Sequence, residues 1–101
     1  MGSRLSLQTE FETLLGSRNV YFQPPPSVKL KYDAILYFRK SIDNRYANNS
    51  VYKQDDCYEV IAIYRDPDSD LPRKISTMKE CRFDRHYTLD NLNHDVFTLY
   101  Y

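Results

Sequence analysis

The stretch that decides the fold is residues 57–65, which read CYEVIAIYR. In an extended chain its apolar side chains fall on both faces, one set comprising Tyr58, Val60, Ala62 and Tyr64 and the other Ile61 and Ile63. A strand that is apolar on both faces must be covered on both sides. The sequence therefore predicts that this strand lies in the centre of a sheet.

The amino-terminal end predicts an amphipathic helix over residues 4–15. Its apolar side chains recur at helical spacing, at Leu7, Phe11, Leu14 and Leu15. Ser3 is placed to cap the first turn, because a hydroxyl can accept from the unpaired backbone N–H groups there. Gly16 is placed to end the helix, because glycine readily adopts the left-handed conformation found at many helix ends.

Two strands separated by a proline run are predicted between this helix and the central strand. Residues 19–23 predict a short strand, and residues 28–40 alternate in the manner of a longer one. Pro24, Pro25 and Pro26 end the first strand, because proline fixes φ and lacks a backbone N–H. We expect these prolines to form a stiff, exposed elbow that contacts neighbouring molecules.

Residues 41–54 are polar and rich in asparagine, and they predict a projecting loop or hairpin. Tyr46 and Tyr52 lie in this segment, which the core does not need. We therefore expect both tyrosines to contact neighbouring molecules.

The remainder predicts a helix and two strands. A turn over residues 66–70 precedes a helix over residues 71–78, and strands follow over residues 81–87 and 94–101. The order helix, strand, strand, strand, helix, strand, strand indicates an α+β fold of one domain, residues 1–101. We expect a mainly antiparallel sheet of about four to five strands, with two helices packed on one face.

Tyrosine is the compositional anomaly, with ten Tyr, five Phe and no Trp among 101 residues. A tyrosine ring is apolar and its hydroxyl is polar, which suits surfaces that become buried against another protein. A small β-protein with tyrosines on half-buried strand faces would show the same composition.

The charge composition and the apolar runs exclude several classes of partner. Fourteen basic residues balance fourteen acidic ones, which argues against a sequence-specific nucleic-acid binder. The apolar runs are far shorter than the roughly 20 residues that span a bilayer, and the first residues lack the apolar core of a secretory signal. We expect no membrane contact and synthesis in the cytoplasm.

The sequence shows no catalytic motif. The chain contains potential metal ligands without metal-site spacing, namely Cys57, Cys81, His86, His94 and Asp95. Asp66, Asp68 and Asp70 alternate as in a calcium loop, but Pro67 breaks that pattern and favours a helix-capping turn. We expect reduced cysteines, no cofactor, no metal and no enzymatic activity.

Charge divides unevenly along the chain. Residues 1–50 contain seven basic and four acidic side chains, and residues 51–101 contain seven basic and ten acidic ones. Opposite patches on one subunit would favour a head-to-tail ring. Chance segregation on a solvated surface gives the same count.

Several segments together resemble a family of bacteriophage proteins. They are LLGS at residues 14–17, NVYFQPP at 19–25, DPDS at 66–69, CRFDR at 81–85 and DNLNHDVFTLYY at 90–101. The resemblance is to small structural proteins of long-tailed phages that are encoded among the head–tail joining genes and are similar to tail terminator, or tail completion, proteins. It covers nearly the whole chain, and residues 90–101 are its most specific part.

The resemblance implies a structural role in the phage neck, hence localisation in the virion after synthesis in the host bacterial cytoplasm. Such α+β proteins form hexameric rings on the end of the tail tube, stop tube polymerisation and join the tail to the head connector. The partners it implies are further copies of the chain, the tail tube protein and the connector or stopper protein, with DNA able to pass through the ring lumen.

Arg82, Asp84 and Arg85 interrupt an otherwise apolar predicted strand, and such charges either lie on a solvated face or pair across an interface. The family resemblance favours pairing between subunits.

The sequence departs from the family pattern at two places. Asp33 follows Tyr32 where the family leads us to expect a proline, and residues 55–57 are more acidic than expected, which puts local loop contacts in doubt. A head–tail stopper or adaptor ring is the alternative within the same class. A small soluble enzyme or regulatory domain without a legible site is the alternative outside it.

Overall fold

The structure is a computed structural model that describes residues 3–47 and 50–101, with side chains described for all of these except residues 43–47 and 50–55. In chain order the elements are α1 (Arg4–Leu15), β1 (Val20–Phe22), β2 (Ala34–Ala47), β3 (Ser50–Tyr64), α2 (Leu71–Ser76), β4 (Cys81–Leu89) and β5 (Leu92–Tyr100). The predicted order of two helices and five strands is confirmed.

The strands form one five-stranded sheet in the order β1-β2-β3-β5-β4. β1 runs parallel to β2, whereas the other neighbours are antiparallel, so the α+β class and the mainly antiparallel sheet are confirmed. β3 lies third in the order and pairs with β2 on one side and β5 on the other. The strand predicted to be central is central.

α1 begins and ends where its capping residues predict. The Ser3 side chain accepts a hydrogen bond from the Ser6 N–H at 3.1 Å, and Gly16 ends the helix in the left-handed region at φ 78°. The helix buries Leu7 and Phe11 completely. The Phe11 ring meets the ring of Tyr37 edge-on, with 5.1 Å between centroids, and this contact fixes α1 against the sheet.

The larger core lies between the sheet and both helices. α1 contributes Leu7 and Phe11, and α2 contributes Leu71 and Ile75. The sheet contributes Val20, Ile35, Tyr37, Tyr58, Val60, Ala62, Tyr64, Phe97 and Leu99. Since both helices pack into one cluster, both cover the same face.

The opposite face carries a smaller cluster, in which Ala34, Leu36 and Ile63 are buried. Leu30 and Tyr32 pack against them from the segment before β2. This segment provides part of the second cover that the apolar character of β3 requires.

The predicted strand over residues 28–40 begins too early, because the observed strand starts at Ala34. Residues 28–33 form side-chain hydrogen bonds in place of a ladder. The Lys31 N–H donates to the Tyr21 hydroxyl at 3.1 Å, and the Asp33 carbonyl accepts from the Asn19 amide at 3.3 Å. The alternation there reflects packing on the sheet.

α2 ends at Ser76, before the predicted end at residue 78. Two hydroxyls hydrogen-bond the carbonyls of its last turn: Ser76 Oγ donates to Arg73 O at 2.7 Å and Thr77 Oγ1 to Lys74 O at 2.6 Å. Such local bonds compete with helical ones and favour a helix end.

β2 and β3 continue beyond the rest of the sheet as a hairpin arm, defined here as residues 42–47 and 50–55. β1 pairs with β2 only from Ile35 to Tyr37, and β5 pairs with β3 only from Cys57 to Tyr64. Among the strands that the structure describes, none lies beside the arm, whose two strands pair with each other up to Ala47 opposite Ser50. The longest dimension of the molecule is 51 Å, against 27 and 22 Å for the others.

The paired residues Phe83 and Phe97 provide a matched test of the core. Their rings meet edge-on with 5.7 Å between centroids, but Phe97 is 1% exposed and Phe83 is 52% exposed. We expect Phe97→Ala to lower the free energy of unfolding by about 3–5 kcal/mol and Phe83→Ala to lower it by about 1 kcal/mol. Urea unfolding checks both values, and equal losses would contradict the assignment of the core face.

Candidate functional site

β4 is the outer strand of the sheet opposite β1, and its side chains from Arg82 to Leu89 are all exposed. They include large apolar groups: Phe83 is 52% exposed, Tyr87 37% and Leu89 57%. An uncovered outer strand presents unpaired backbone groups to which another chain can add. This edge, residues 82–89, is the candidate site, and we call it the β4 edge.

The register determines which backbone groups of β4 face outward. Leu89 and Leu92 flank a two-residue turn, Asp90-Asn91, whose φ values of 53° and 63° are typical of a type I′ hairpin. In such a hairpin the flanking residues form a hydrogen-bonded pair, and bonded pairs then alternate with unbonded ones. At the far end the Tyr100 N–H donates to Glu80 O at 3.2 Å, which fits the same alternation.

Counting along this ladder places the N–H and C=O groups of Phe83, His86 and Thr88 on the outer side. β4 has a bulge at Asp84, where two of its residues oppose Val96. When this extra residue is allowed for, the alternation counted from the turn agrees with the bond between Tyr100 and Glu80. The side chains of these three residues share the sheet face that α2 covers, because Phe83 pairs with Phe97 and His86 with Asp95.

The charged residues predicted at this strand lie on the exposed edge. Arg85 Nη1 is 2.8 Å from Asp84 Oδ2, and both side chains are about half exposed, at 56% and 45%. A pair of this kind contributes at most about 1 kcal/mol to stability. The pair is therefore open to exchange for a partner's charges, and Arg82 beside it is exposed as well.

Asp95 lies under the middle of β4 and is bonded from both sides. It is only 6% exposed, accepts from the Tyr64 hydroxyl at 3.1 Å through Oδ2, and meets His86 Nδ1 through Oδ1. Because a carboxylate can only accept, the His86 Nδ1–H donates, which leaves Nε2 on the outer half of a ring that is 45% exposed. One carboxylate thus links β3, β5 and β4.

Burial is the main cause that raises the pKa of Tyr64 to about 12, and the negative charge of Asp95 and its hydrogen bond add to this. The phenol therefore stays protonated at neutral pH and donates to Asp95.

An open groove of about 450 Å³ lies between α2 and β4. The loop before α2 and α2 itself contribute Pro67, Ser69, Pro72, Arg73 and Ser76, and the sheet contributes Tyr64, Phe83, Asp95 and Phe97. The groove is thus lined by three aromatic rings and two prolines together with polar and charged side chains, Arg73 and Asp95 among them. From β4 itself, Phe83 lines it.

The eight predicted contact residues fall in three separate places. Pro24, Pro25 and Pro26 follow β1 at the opposite edge, where the Val28 N–H donates to Pro25 O at 3.1 Å; Pro25 and Pro26 are exposed and Pro24 is half-buried. Tyr46 and Tyr52 lie in the arm, and their side chains are outside the described residues. Only Arg82, Asp84 and Arg85 are brought together, on the β4 edge.

The opposite edge of the sheet differs from the β4 edge. β1 has only three residues, and the Gln8 side chain from α1 donates to Val20 O at 3.1 Å. α1 thus occupies part of the outer side of β1.

The unequal charge of the two sequence halves does not give two separate patches. β2 carries three basic and one acidic residue, β3 one basic and three acidic, and these two strands pair with each other. Arg39 Nε, for example, is 3.0 Å from Asp56 Oδ2. Pairing in one hairpin brings the opposite charges of the halves together.

Asp66 forms a local turn in the loop before α2, because its Oδ1 accepts from the Asp68 N–H at 2.9 Å, and this bond does not cap the helix. Asp70 occupies the N-cap position without a side-chain bond, and Ser69 Oγ accepts from the Leu71 N–H at 3.3 Å instead. Both cysteines are free thiols.

Sequence reasoning missed the link between His86, Asp95 and Tyr64. The signal was a carboxylate, Asp95, between the apolar residues of a predicted core strand. Its partners could not be named without the strand register, which places His86 opposite Asp95 and Tyr64 one strand away.

Neither helix in the described part of the chain has the length and apolar character that crossing a bilayer requires. Comparisons with protein-family models, curated protein sequences and solved structures found no match to this chain.

The Tyr64–Asp95 bond can be tested by titration. We expect Asp95→Asn to lower the pKa of Tyr64 from about 12 towards, but not down to, its ordinary value near 10, because burial remains. Nuclear magnetic resonance of ring-labelled tyrosine, assigned with Tyr64→Phe, measures the shift. Asp84→Asn is the control, since Asp84 is exposed on the neighbouring strand. An unchanged pKa in Asp95→Asn would contradict the bond.

The same raised pKa predicts a loss of stability in alkali. The unfolded phenol titrates near pH 10 and the folded one near pH 12, so the folded state retains the proton longer. The stabilisation is complete below about pH 10 and is lost as the pH rises through about 12. Denaturant unfolding of wild type and Tyr64→Phe across this range checks the slope, which should be shallower in the variant.

Proposed function

We propose that this chain is a structural protein of the bacteriophage neck: a tail terminator that forms a hexameric ring on the tail tube, stops tube polymerisation and joins the tail to the head connector. The observation that carries the proposal is the β4 edge. It is an outer strand with exposed aromatic and charged side chains, and its edge is open along residues 82–89. Such an edge requires a partner or a device against aggregation.

The most specific of the segments that resemble the phage family, residues 90–101, occupies positions that build the fold. Asp90 and Asn91 form the turn after β4 at positive φ, and most of residues 92–101 form β5. In β5, Val96, Phe97 and Leu99 are buried. In this segment the likeness therefore concerns turn and core residues, which supports a shared fold.

A further argument comes from the placement of the two predicted surfaces. A closed ring places different patches of neighbouring copies in contact. The proline elbow follows β1 at one edge of the sheet, and the charged residues lie on β4 at the other. Two different patches at opposite edges suit head-to-tail contacts. Charge segregation between the sequence halves does not support the ring, because β2 and β3 pair.

The position in the particle distinguishes the terminator from a stopper or adaptor ring. We expect labelled antibody to bind at the junction of tail tube and connector, on the tube side, in electron micrographs of particles of the phage that encodes the chain. Mass spectrometry of isolated necks should give several equivalent copies. Label on the connector side would favour the stopper or adaptor, and a single copy per particle would exclude a ring.

The charged part of the β4 edge provides the mutational test. We expect Arg82→Ala combined with Arg85→Ala to change the free energy of unfolding by less than about 1 kcal/mol, because both side chains are exposed. Particles carrying the variant should have overlong or unjoined tails in electron micrographs.

Lys74→Ala is the matched control, because Lys74 is an exposed cation on α2 that pairs with Asp70 at 3.7 Å. It should give normal particles. Normal, infectious particles from the double variant would remove both arginines from the contact, and a misfolded double variant would assign them a role within the subunit.

A further inference from the structure

The β4 edge is the open side of an outer strand, to which a further strand can be added. We infer that neighbouring subunits join by strand addition, in which the hairpin arm of one copy pairs with the β4 edge of the next. This inference rests on the proposed ring. It names the two surfaces that meet: the backbone of the arm, a segment that the sequence predicted as a projecting loop or hairpin, and the outward groups of β4, which the sequence did not predict.

The first surface, the β4 edge, has backbone groups in position to pair with an added strand. The outward N–H and C=O groups of His86 and Thr88 are two residues apart on a regular stretch, the spacing at which an added antiparallel strand forms its bonds. The bulge at Asp84 interrupts this regularity towards the start of β4. Pairing is therefore centred on residues 86–88.

The groove beside α2 provides room for the side chains of an added strand. Alternate side chains of such a strand lie on the same face as His86 and Thr88, which is the face that α2 covers. The groove of about 450 Å³ opens on that face, with Phe83 and Pro72 among its walls. Backbone pairing and side-chain burial can thus occur together, as in peptide recognition by strand addition.

The second surface follows by elimination among the strands that the structure describes. A head-to-tail contact needs a surface different from the first. β1 is a poor candidate, because it has three residues and Gln8 already bonds Val20 O. β5 is flanked by β3 and β4 over its length. The arm remains: among the described strands its two strands pair only with each other, and it extends beyond its own sheet.

A proline substitution on β4 can block strand addition at the β4 edge without preventing the subunit from folding. In Thr88→Pro the lost N–H faces outward and bonds nothing on β5, so the fold should tolerate the change, as outer strands do. Thr88→Ala keeps the N–H and is the matched control. With purified tail tubes, we expect wild type and Thr88→Ala to form rings in electron micrographs and by mass, and Thr88→Pro to form none.

Amide hydrogen exchange of the wild-type protein provides a second test, which does not depend on whether Thr88→Pro folds. In the free subunit the amides of Tyr87 and Leu89 are bonded to β5, whereas those of His86 and Thr88 face outward. Amide hydrogen exchange should become slower by about tenfold or more at His86 and Thr88 on assembly, with little change at Tyr87 and Leu89. Unchanged exchange at His86 and Thr88 in assembled rings would overturn the inference.

The identity of the added strand is tested by shortening the arm. A chain in which residues 44–54 are replaced by Asn-Gly, a favoured two-residue turn, keeps the β4 edge and lacks the arm. Alone it should not assemble. Mixed with Thr88→Pro, which keeps the arm and lacks the edge, it should form a one-to-one heterodimer by analytical ultracentrifugation. Rings of the shortened chain alone would show that another segment adds to β4.

The outcomes separate this inference from the proposed function. Rings formed equally by Thr88→Pro and wild type would overturn strand addition and leave the terminator role intact. Failure of the wild type to form rings with or without tubes would overturn the terminator role and the inference together.

Discussion

The burial of β3 on both faces is the constraint on which the rest of the structure depends. Val60 and Ala62 face the helices and are fully buried, and Ile63 on the other face is 4% exposed. A strand of this kind needs a neighbour on each edge and a layer on each side. β2 and β5 supply the neighbours, α1 and α2 supply one layer, and the segment around Leu30 and Tyr32 supplies part of the other. With these positions filled, β4 becomes the outer strand.

Each residue pattern in the sequence contains a different kind of structural information, and this determines which parts of the fold could be predicted from it. The centre of the sheet was predictable, because two apolar faces admit few other arrangements. α1 was predictable from Ser3 and Gly16, which act through local backbone geometry. The prediction of a strand over residues 28–33 was wrong, because β2 begins at Ala34. Alternation of apolar and polar residues indicates which side of an extended segment is apolar, and it contains no information on whether another strand pairs with that segment. The arm was predicted as a projecting loop or hairpin, and the choice between the two could not be made from the sequence, since a hairpin outside the core needs no apolar face.

The candidate site shows the same limit. Arg82, Asp84 and Arg85 could be predicted as an exposed charged group, because three charges in a short strand cannot all be buried. The pairing of basic residues in the first half of the sequence with acidic residues in the second half could not be predicted, since it depends on which strands pair. The link between His86 and Asp95 depends on register in the same way: these residues are nine positions apart in sequence and opposite in space.

The buried carboxylate of Asp95 also bears on how the sheet would respond to mechanical load. Strands peeled from the edge of a sheet lose their hydrogen bonds one after another, so an outer strand is the weakest place to pull. Here Asp95 ties His86 on β4 and Tyr64 on β3 to one buried point on β5. A force applied to the middle of β4 would therefore reach the centre of the sheet before the ladder on either side had opened. The link between these three strands would therefore make β4 harder to peel from the sheet than its hydrogen-bond ladder alone.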